Sequence, residues 1–520
     1  MMRGLFAADA PSGLRRSARI SDALFVAGLV LTAVIMAWDR VPQFGGPAPH
    51  VSLVDARGLA PQELIAFLLL LQRGLVMAWD RFRKKGGAWP DTGLAVAFGL
   101  LAVAVGVAAL TAFNFGVAVM ASLIFCFALG RGWLLAQYIR DRELRLFENV
   151  VLWVAVAAVV LGYFQFVGDV FGLSQSWTQL LPGYNSTTGA YPFPRPQAFA
   201  LEPLYLGHWL FLPLGILLTR YWRTRKASAF EQILLVLALG LFLLTLSRGA
   251  FLGLAPAVLA LVIAGRAWRP VLYLVRNGVL ALLVVGGMLL LASSAHDTGT
   301  PETAGTTAAP EASSPEASSP AATASPESAP EKPGVVGSFT GHALDVNDDS
   351  AQTRYELWPK TVRIFLDHPL TGVGFNNARL LLHDGSASAS PAEANALQPV
   401  NNDYLTFVSE LGLVGVLLAL PLLWLILRAM WGTWRARLDH PSSPYAFALV
   451  GMAFEANAFQ SLSLLRTWVV IGLLIAGLRL MRERQTEAER SDDLAETVVL
   501  NPAVADTAVI DRGSVGSKSA

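Results

Sequence analysis

Long apolar runs recur along this chain at a length that suits a lipid bilayer, and short polar segments, many of them basic, separate them. A helix rises about 1.5 Å per residue, so about 20 mostly apolar residues cross the hydrocarbon core. By that measure the pattern predicts spans near 22–38, 61–79, 91–109, 112–130, 148–168, 199–219, 230–246, 250–265, 277–292, 404–427, 443–460 and 464–480. The expected fold class is an all-α polytopic membrane protein with about 12 transmembrane helices. The stretch 91–130 is the hardest of these to divide.

Lysine and arginine in short connections set orientation. They cluster at Arg15–Arg16–Arg19, Arg81–Arg83–Lys84–Lys85, Arg131 to Arg145, Arg220 to Lys226, Arg266 to Arg276, Arg428 to Arg437 and Arg479 to Arg490. With alternating spans every cluster falls on one side, which places both termini in the cytoplasm. The expected layout is a cytoplasmic tail over 1–21, spans one to nine over 22–292, a periplasmic loop over 293–403, spans ten to twelve over 404–480 and a disordered cytoplasmic tail over 481–520. The N-terminal run lacks a small-residue cleavage site after it, so it reads as a retained span.

The long loop has two characters. Residues 297–333 are Pro, Glu, Ala, Ser and Thr, too polar to bury a core, and read as a disordered tether. Residues 350–368 carry an apolar stripe of Tyr355, Leu357, Trp358, Val362, Phe365 and Leu366, which predicts an amphipathic helix on the membrane surface. Pro359 is expected to kink or divide it.

Composition narrows the function classes. The chain is 54% hydrophobic and 15% charged with a mean hydropathy of +0.49, against about a quarter charged in a typical soluble domain. A net charge of +1 argues against a nucleic-acid partner. One cysteine, Cys126, excludes an intrachain disulfide framework and a cysteine-based metal site, and no histidines pair at ligand spacing. The halves show no internal repeat of the kind common in transporters.

Candidate chemistry concentrates on the predicted outer face. Arg248, in a Ser-Arg-Gly turn between two apolar runs, reads either as an interfacial anchor or as an anion ligand beside a glycine that admits close approach. Arg195 precedes the sixth span with Glu202 shortly after, a structural ion pair or a catalytic pair. Arg354, Lys360 and Arg363 lie in the amphipathic stretch, where basic residues commonly face lipid headgroups. The Gly372/Gly374 pair reads as a tight turn, since no strand precedes it as a dinucleotide fingerprint requires. Asn401, Asn402, Asp403 and Tyr404 either bind sugar hydroxyls or cap the tenth span. Glu455 is a carboxylate within the eleventh predicted span whose expected partner is Arg466, and Arg73 lies within snorkelling reach of the cytoplasmic side. Several guanidinium groups at one membrane boundary suit a phosphate-bearing ligand presented from the bilayer, with arginine in place of a metal ion or other cofactor at the leaving group.

Three stretches, TLSRGAFLGL, TRYELWPKTVRIFLDHPLTGVGFNNA and NNDYLTFVSELGLVGVLL, resemble in order and spacing the O-antigen ligase/polymerase superfamily of bacterial membrane glycosyltransferases. The likeness runs from about residue 150 to 480. It implies an inner-membrane enzyme with a periplasmic site, acting on undecaprenyl-diphosphate-linked glycan, with a chain-length regulator and export proteins as partners. The family's outer arginines correspond to Arg248 and Arg354 and, less directly, Arg195. Glu202 is the expected base or acceptor-orienting group, ahead of Asp403. Asn401-Asn402 stands where the ligase branch carries His-Asn, and asparagine is no base, which points toward the polymerase branch. Ligation of finished polymer to lipid A-core or protein, and transport of the lipid-linked unit, are the alternatives.

Overall fold

Lipid offers the backbone no hydrogen-bond partners, so an apolar run in a bilayer closes its bonds internally as helix. The computed structural model describes residues 12–38, 61–84, 91–171, 173, 195–200, 202–266, 269–297, 349–383, 385–389, 397, 399–436, 439–462 and 464–500, and over them the apolar runs are helical. The helices are α1 (Ser12–Ala37), α2 (Pro61–Lys84), α3 (Thr92–Leu110), α4 (Phe115–Tyr138), α5 (Asp141–Val170), α6 (Pro203–Thr224), α7 (Ala229–Leu244), α8 (Arg248–Gly265), α9 (Arg269–Asp297), α10 (Asp349–Asp367), α11 (Ala378–Leu382), α12 (Asp403–Arg435), α13 (Ser443–Glu455) and α14 (Leu465–Leu500). Among the described residues eight helices are long and apolar enough to cross a membrane: α1 to α5, α8, α9 and α12. The chain is thus a multi-pass membrane protein.

Caps explain where the runs divide. The 91–130 stretch breaks because Asn114 caps α4, its side-chain oxygen accepting from the Val117 N–H at 3.0 Å. Ser228 and Glu231 form a capping box at the start of α7. Two expectations change. α10 runs through Pro359 as one helix. α14 continues to Leu500, past the point near 481 where a disordered tail was expected. The 297–333 tract lies outside the described residues apart from its first residue.

Small residues let helices approach, as is usual in membranes. A methyl on Gly132 would meet the Trp468 carbonyl oxygen at 2.5 Å, and one on Gly253 would meet the Gly451 carbonyl oxygen at 2.4 Å. These contacts press α4 against α14 and α8 against α13. α13 also packs on α6, and α12 on α3.

The structure also shows a break inside α12 that hydropathy does not reveal. Gly412 adopts φ 62°, ψ −168°, so the bonds from Leu413 and Val414 back to Ser409 and Glu410 are lost. The loop after α10 replaces both. The Leu413 and Val414 N–H groups donate to the Pro369 and Leu370 carbonyls at 2.9 and 3.0 Å. The Val373 and Gly374 N–H groups donate to the freed Ser409 and Glu410 carbonyls at 3.1 and 3.0 Å. Gly372, at φ 66°, permits the approach, since a Cβ there would lie 2.4 Å from the Glu410 backbone. The tight turn expected from the glycine pair is therefore half of a lock whose other half is the helix break.

Candidate functional site

The end of α7, the starts of α6, α8, α12 and α14, and the end of α13 meet at one end of the bundle. Arg248 is the first residue of α8, and the turn before it spans Thr245 to Ser247, two residues earlier than the sequence suggests. Ser247 caps the helix, its hydroxyl accepting from the Ala250 N–H at 3.3 Å. Arg248 is half-buried beside the positive end of the α8 dipole, a setting that favours anions. Arg195 comes to the same turn. Its Nε and Nη2 both donate to the Thr245 carbonyl, at 3.0 and 2.7 Å.

Glu202 occupies the cap position of α6 and is exposed, with its side chain making no cap hydrogen bond. Nearly two turns on, His208, which sequence reasoning missed, joins Glu455 in a buried cluster. His208 Nδ1 lies 2.7 Å from Glu455 Oε2, and its Nε2 lies 3.5 Å from the Thr467 hydroxyl. Glu455 thus hydrogen-bonds to His208, which the sequence did not suggest, beside its expected partner Arg466. Arg466 donates to the Tyr205 carbonyl at 3.2 Å and stays within electrostatic reach of Glu455. A methyl on Gly249 would sit 3.3 Å from Glu455 Cγ, so this cluster lies directly behind the Arg248 turn. Its members are 247 residues apart in the chain, and no local pattern pairs them.

Arg354 comes from the connection between α9 and α12. It is half-buried on α10, whereas Lys360 and Arg363 are exposed. Leu357 and Ile364 of the same helix pack with Val373, Ala378, Leu382 and Val400, which seats α10 on the loop that locks α12. On α11, buried Arg379 donates to Gln460 Oε1 at 3.3 Å, and the Ala378 N–H donates to Glu410 Oε1 at 3.2 Å. Burial pushes the Arg379 guanidinium below its usual range, and the nearby Glu410 carboxylate acts in the opposite direction. Arg379 did not stand out in the sequence as chemistry.

The Asn-Asn-Asp-Tyr cluster joins α12 to the connection between α13 and α14. Asn402 caps α12, accepting from the Leu405 N–H at 3.0 Å and donating to the Asn457 carbonyl at 3.3 Å. Asp403 is buried, and its Oδ2 accepts from the Ser461 N–H at 2.7 Å, the Ser461 hydroxyl at 2.6 Å and the Leu462 N–H at 3.0 Å. Tyr404 is exposed and donates to the Ala453 carbonyl at 2.7 Å. Asn401 is half-buried at φ 52°. Of the two readings open at the sequence level, capping describes the Asn402 hydrogen bonds.

Residues 233–420 match the O-antigen ligase family model. The matched segment runs from α7 into α12 and includes Arg248, Arg354 and Asn401 to Tyr404, while Arg195 and Glu202 precede it. The resemblance to the O-antigen ligase/polymerase superfamily is supported over that segment. No curated protein matches the sequence.

Proposed function

From a chain whose centre is an O-antigen ligase segment, we propose a membrane glycosyltransferase that polymerises undecaprenyl-diphosphate-linked oligosaccharide units at the outer face of a bacterial inner membrane. The match itself supports a ligase/polymerase-type function on lipid-linked glycans; the polymerase assignment is the finer step. In this reading the chain crosses the bilayer about twelve times, both termini are cytoplasmic and 293–403 is periplasmic.

A hydroxyl oxygen of one lipid-linked glycan attacks the anomeric carbon of another. The new glycosidic C–O bond forms as the bond to the diphosphate breaks, and the diphosphate leaves with the electron pair. Arg248 and Arg354, with Arg195, stabilise that charge. Glu202 takes the hydroxyl proton, a role its exposure at the start of α6 supports. Asp403 suits it less, because its Oδ2 already accepts three hydrogen bonds. Asn401, Asn402 and Tyr404 line the acceptor side. The observation that carries the proposal is the paired hold of Arg195 on the Thr245 carbonyl, which brings its guanidinium to the turn that leads into Arg248.

The test uses purified protein in lipid with a synthetic undecaprenyl-diphosphate repeat unit. A ladder of longer lipid-linked products from wild type, absent from Arg248→Ala and Arg354→Ala, is the expected result. Transfer only to an added lipid A-core acceptor would make the protein a ligase lacking the usual histidine. Neither product with the host's own repeat unit would sink the transferase reading.

A further inference from the structure

At the end of the bundle opposite the candidate site, α8, α12 and α13 leave an open cavity of about 370 Å³ between them. Ala260 and Ile263, Leu427 and Trp431, and Ala446 and Phe447 form its wall, two from each helix. The hydroxyls in the wall are already committed, Thr433 to the Ala429 carbonyl at 3.0 Å and Ser443 to the His440 carbonyl at 2.7 Å. What remains is an apolar cleft about 10 Å long at helical rise, running from Leu427 to Trp434. Its rim residues Ile263, Leu427 and Trp431 are 53%, 53% and 50% exposed, so the cleft opens sideways toward lipid.

Two arginines stand at the end of that cleft. The Arg266 guanidinium lies 5.5 Å from the Trp434 ring centroid, and the Arg435 guanidinium lies 5.2 Å from that of Trp431. Both are exposed, as is Arg428 on α12. Stacking on indole holds a guanidinium plane while leaving its N–H edge open to a phosphate. Tryptophan is itself enriched at the headgroup level of membrane proteins. Asp439, in the nearby connection, is engaged electrostatically with Arg223.

We propose that this cleft is a binding site for an anionic phospholipid of the cytoplasmic leaflet, one acyl chain filling the cavity and the phosphate held by Arg266 and Arg435. An uncharged partner helix would account for the apolar wall but not for the two stacked arginines at its end. Basic pockets between membrane helices select lipids in this way. The bound chain fills the space between α8, α12 and α13 and so stiffens the scaffold that carries Arg248 at the far end of α8. The proposal does not depend on the transferase reading.

Native mass spectrometry of the purified full chain tests it, with phosphatidylglycerol or phosphatidylethanolamine added at equal concentration. Wild type is expected to retain phosphatidylglycerol preferentially. The Arg266→Gln/Arg435→Gln double variant is expected to retain about tenfold less. Arg142→Gln/Arg276→Gln, the same charge change at the same end of the bundle, is expected to behave as wild type. Ala260→Phe, which fills the cleft without touching charge, is expected to lower retention of the lipid as well. Equal retention of the two lipids by wild type, equal loss in both double variants, or undiminished binding in Arg266→Gln/Arg435→Gln or in Ala260→Phe overturns the assignment.

Discussion

At the basic end of the bundle Arg73 reaches Asp22 and Glu143 at 2.6 Å each, Arg220 reaches Glu148 at 3.3 Å, and Arg479 reaches Glu483 at 2.6 Å. At the site end three charged groups hydrogen-bond to the main chain: Arg195 to the Thr245 carbonyl, Arg466 to the Tyr205 carbonyl, and Asp403 to the N–H groups of Ser461 and Leu462. The His208–Glu455 pair instead joins two side chains. The two arrangements do different things. An ion pair neutralises both partners and joins helices. A carbonyl fixes the plane of a guanidinium without itself neutralising it. Ion pairs join the helices at the basic end, and side-chain contacts to the main chain help to order the site end.

Four sets of variants probe that difference, ordered by the largest loss of stability expected in each. Arg73→Gln strands two carboxylates around a side chain that is 2% exposed, and breaking such a buried pair costs about 3–5 kcal/mol. Chemical denaturation in detergent should show the loss, while the protein that remains folded transfers glycan normally. A wild-type unfolding midpoint would mean the network does not bind α1, α2 and α5 together.

Gly412→Ala places a methyl 2.3 Å from the Leu370 carbonyl oxygen at a positive φ, so the lock between loop and helix must open. We expect a loss of about 1–3 kcal/mol and a fall in transfer together. Gly106→Ala, in a helix with open space around it, is the control and should lose neither.

Asp403→Asn turns one acceptor oxygen into a donor facing N–H groups, with an expected cost of about 1–3 kcal/mol. Glu202→Gln should leave stability unchanged and lower transfer about 100-fold. Assays of both variants at equal folded fraction separate base from anchor, and the reverse outcome would exchange their roles.

Arg195→Lys keeps the charge but cannot donate twice in a fixed plane to one carbonyl. Stability should fall by about 1 kcal/mol at most, and transfer by about tenfold. Unchanged transfer would show that orientation at this turn does not matter.

The helices were legible because a bilayer imposes one rule on every span, and runs such as 92–110 obey it through composition alone. What composition did not carry was partnership. Nothing near His208 announces Glu455, and nothing near Arg195 announces Thr245, because both contacts are made only when distant helices pack. The motifs 369–375 and 410–415 were visible as motifs, yet their meaning as complementary halves required the backbone path at Gly412. Of the two effects expected of Pro359, division did not occur: α10 continues as helix through the proline and still buries Leu357 and Thr361.

That lock has a bearing on how the protein is made. Exposed to lipid, the broken turn of α12 would leave the Leu413 and Val414 donors and the Ser409 and Glu410 acceptors without partners, at several kcal/mol each. Their partners, Pro369 to Gly374, come earlier in the chain. In the proposed topology they have already emerged on the far side when α12 enters the membrane. Synthesis order thus delivers the clasp before the segment it closes upon, and a permuted chain that supplied α12 first would have to insert it with its backbone open.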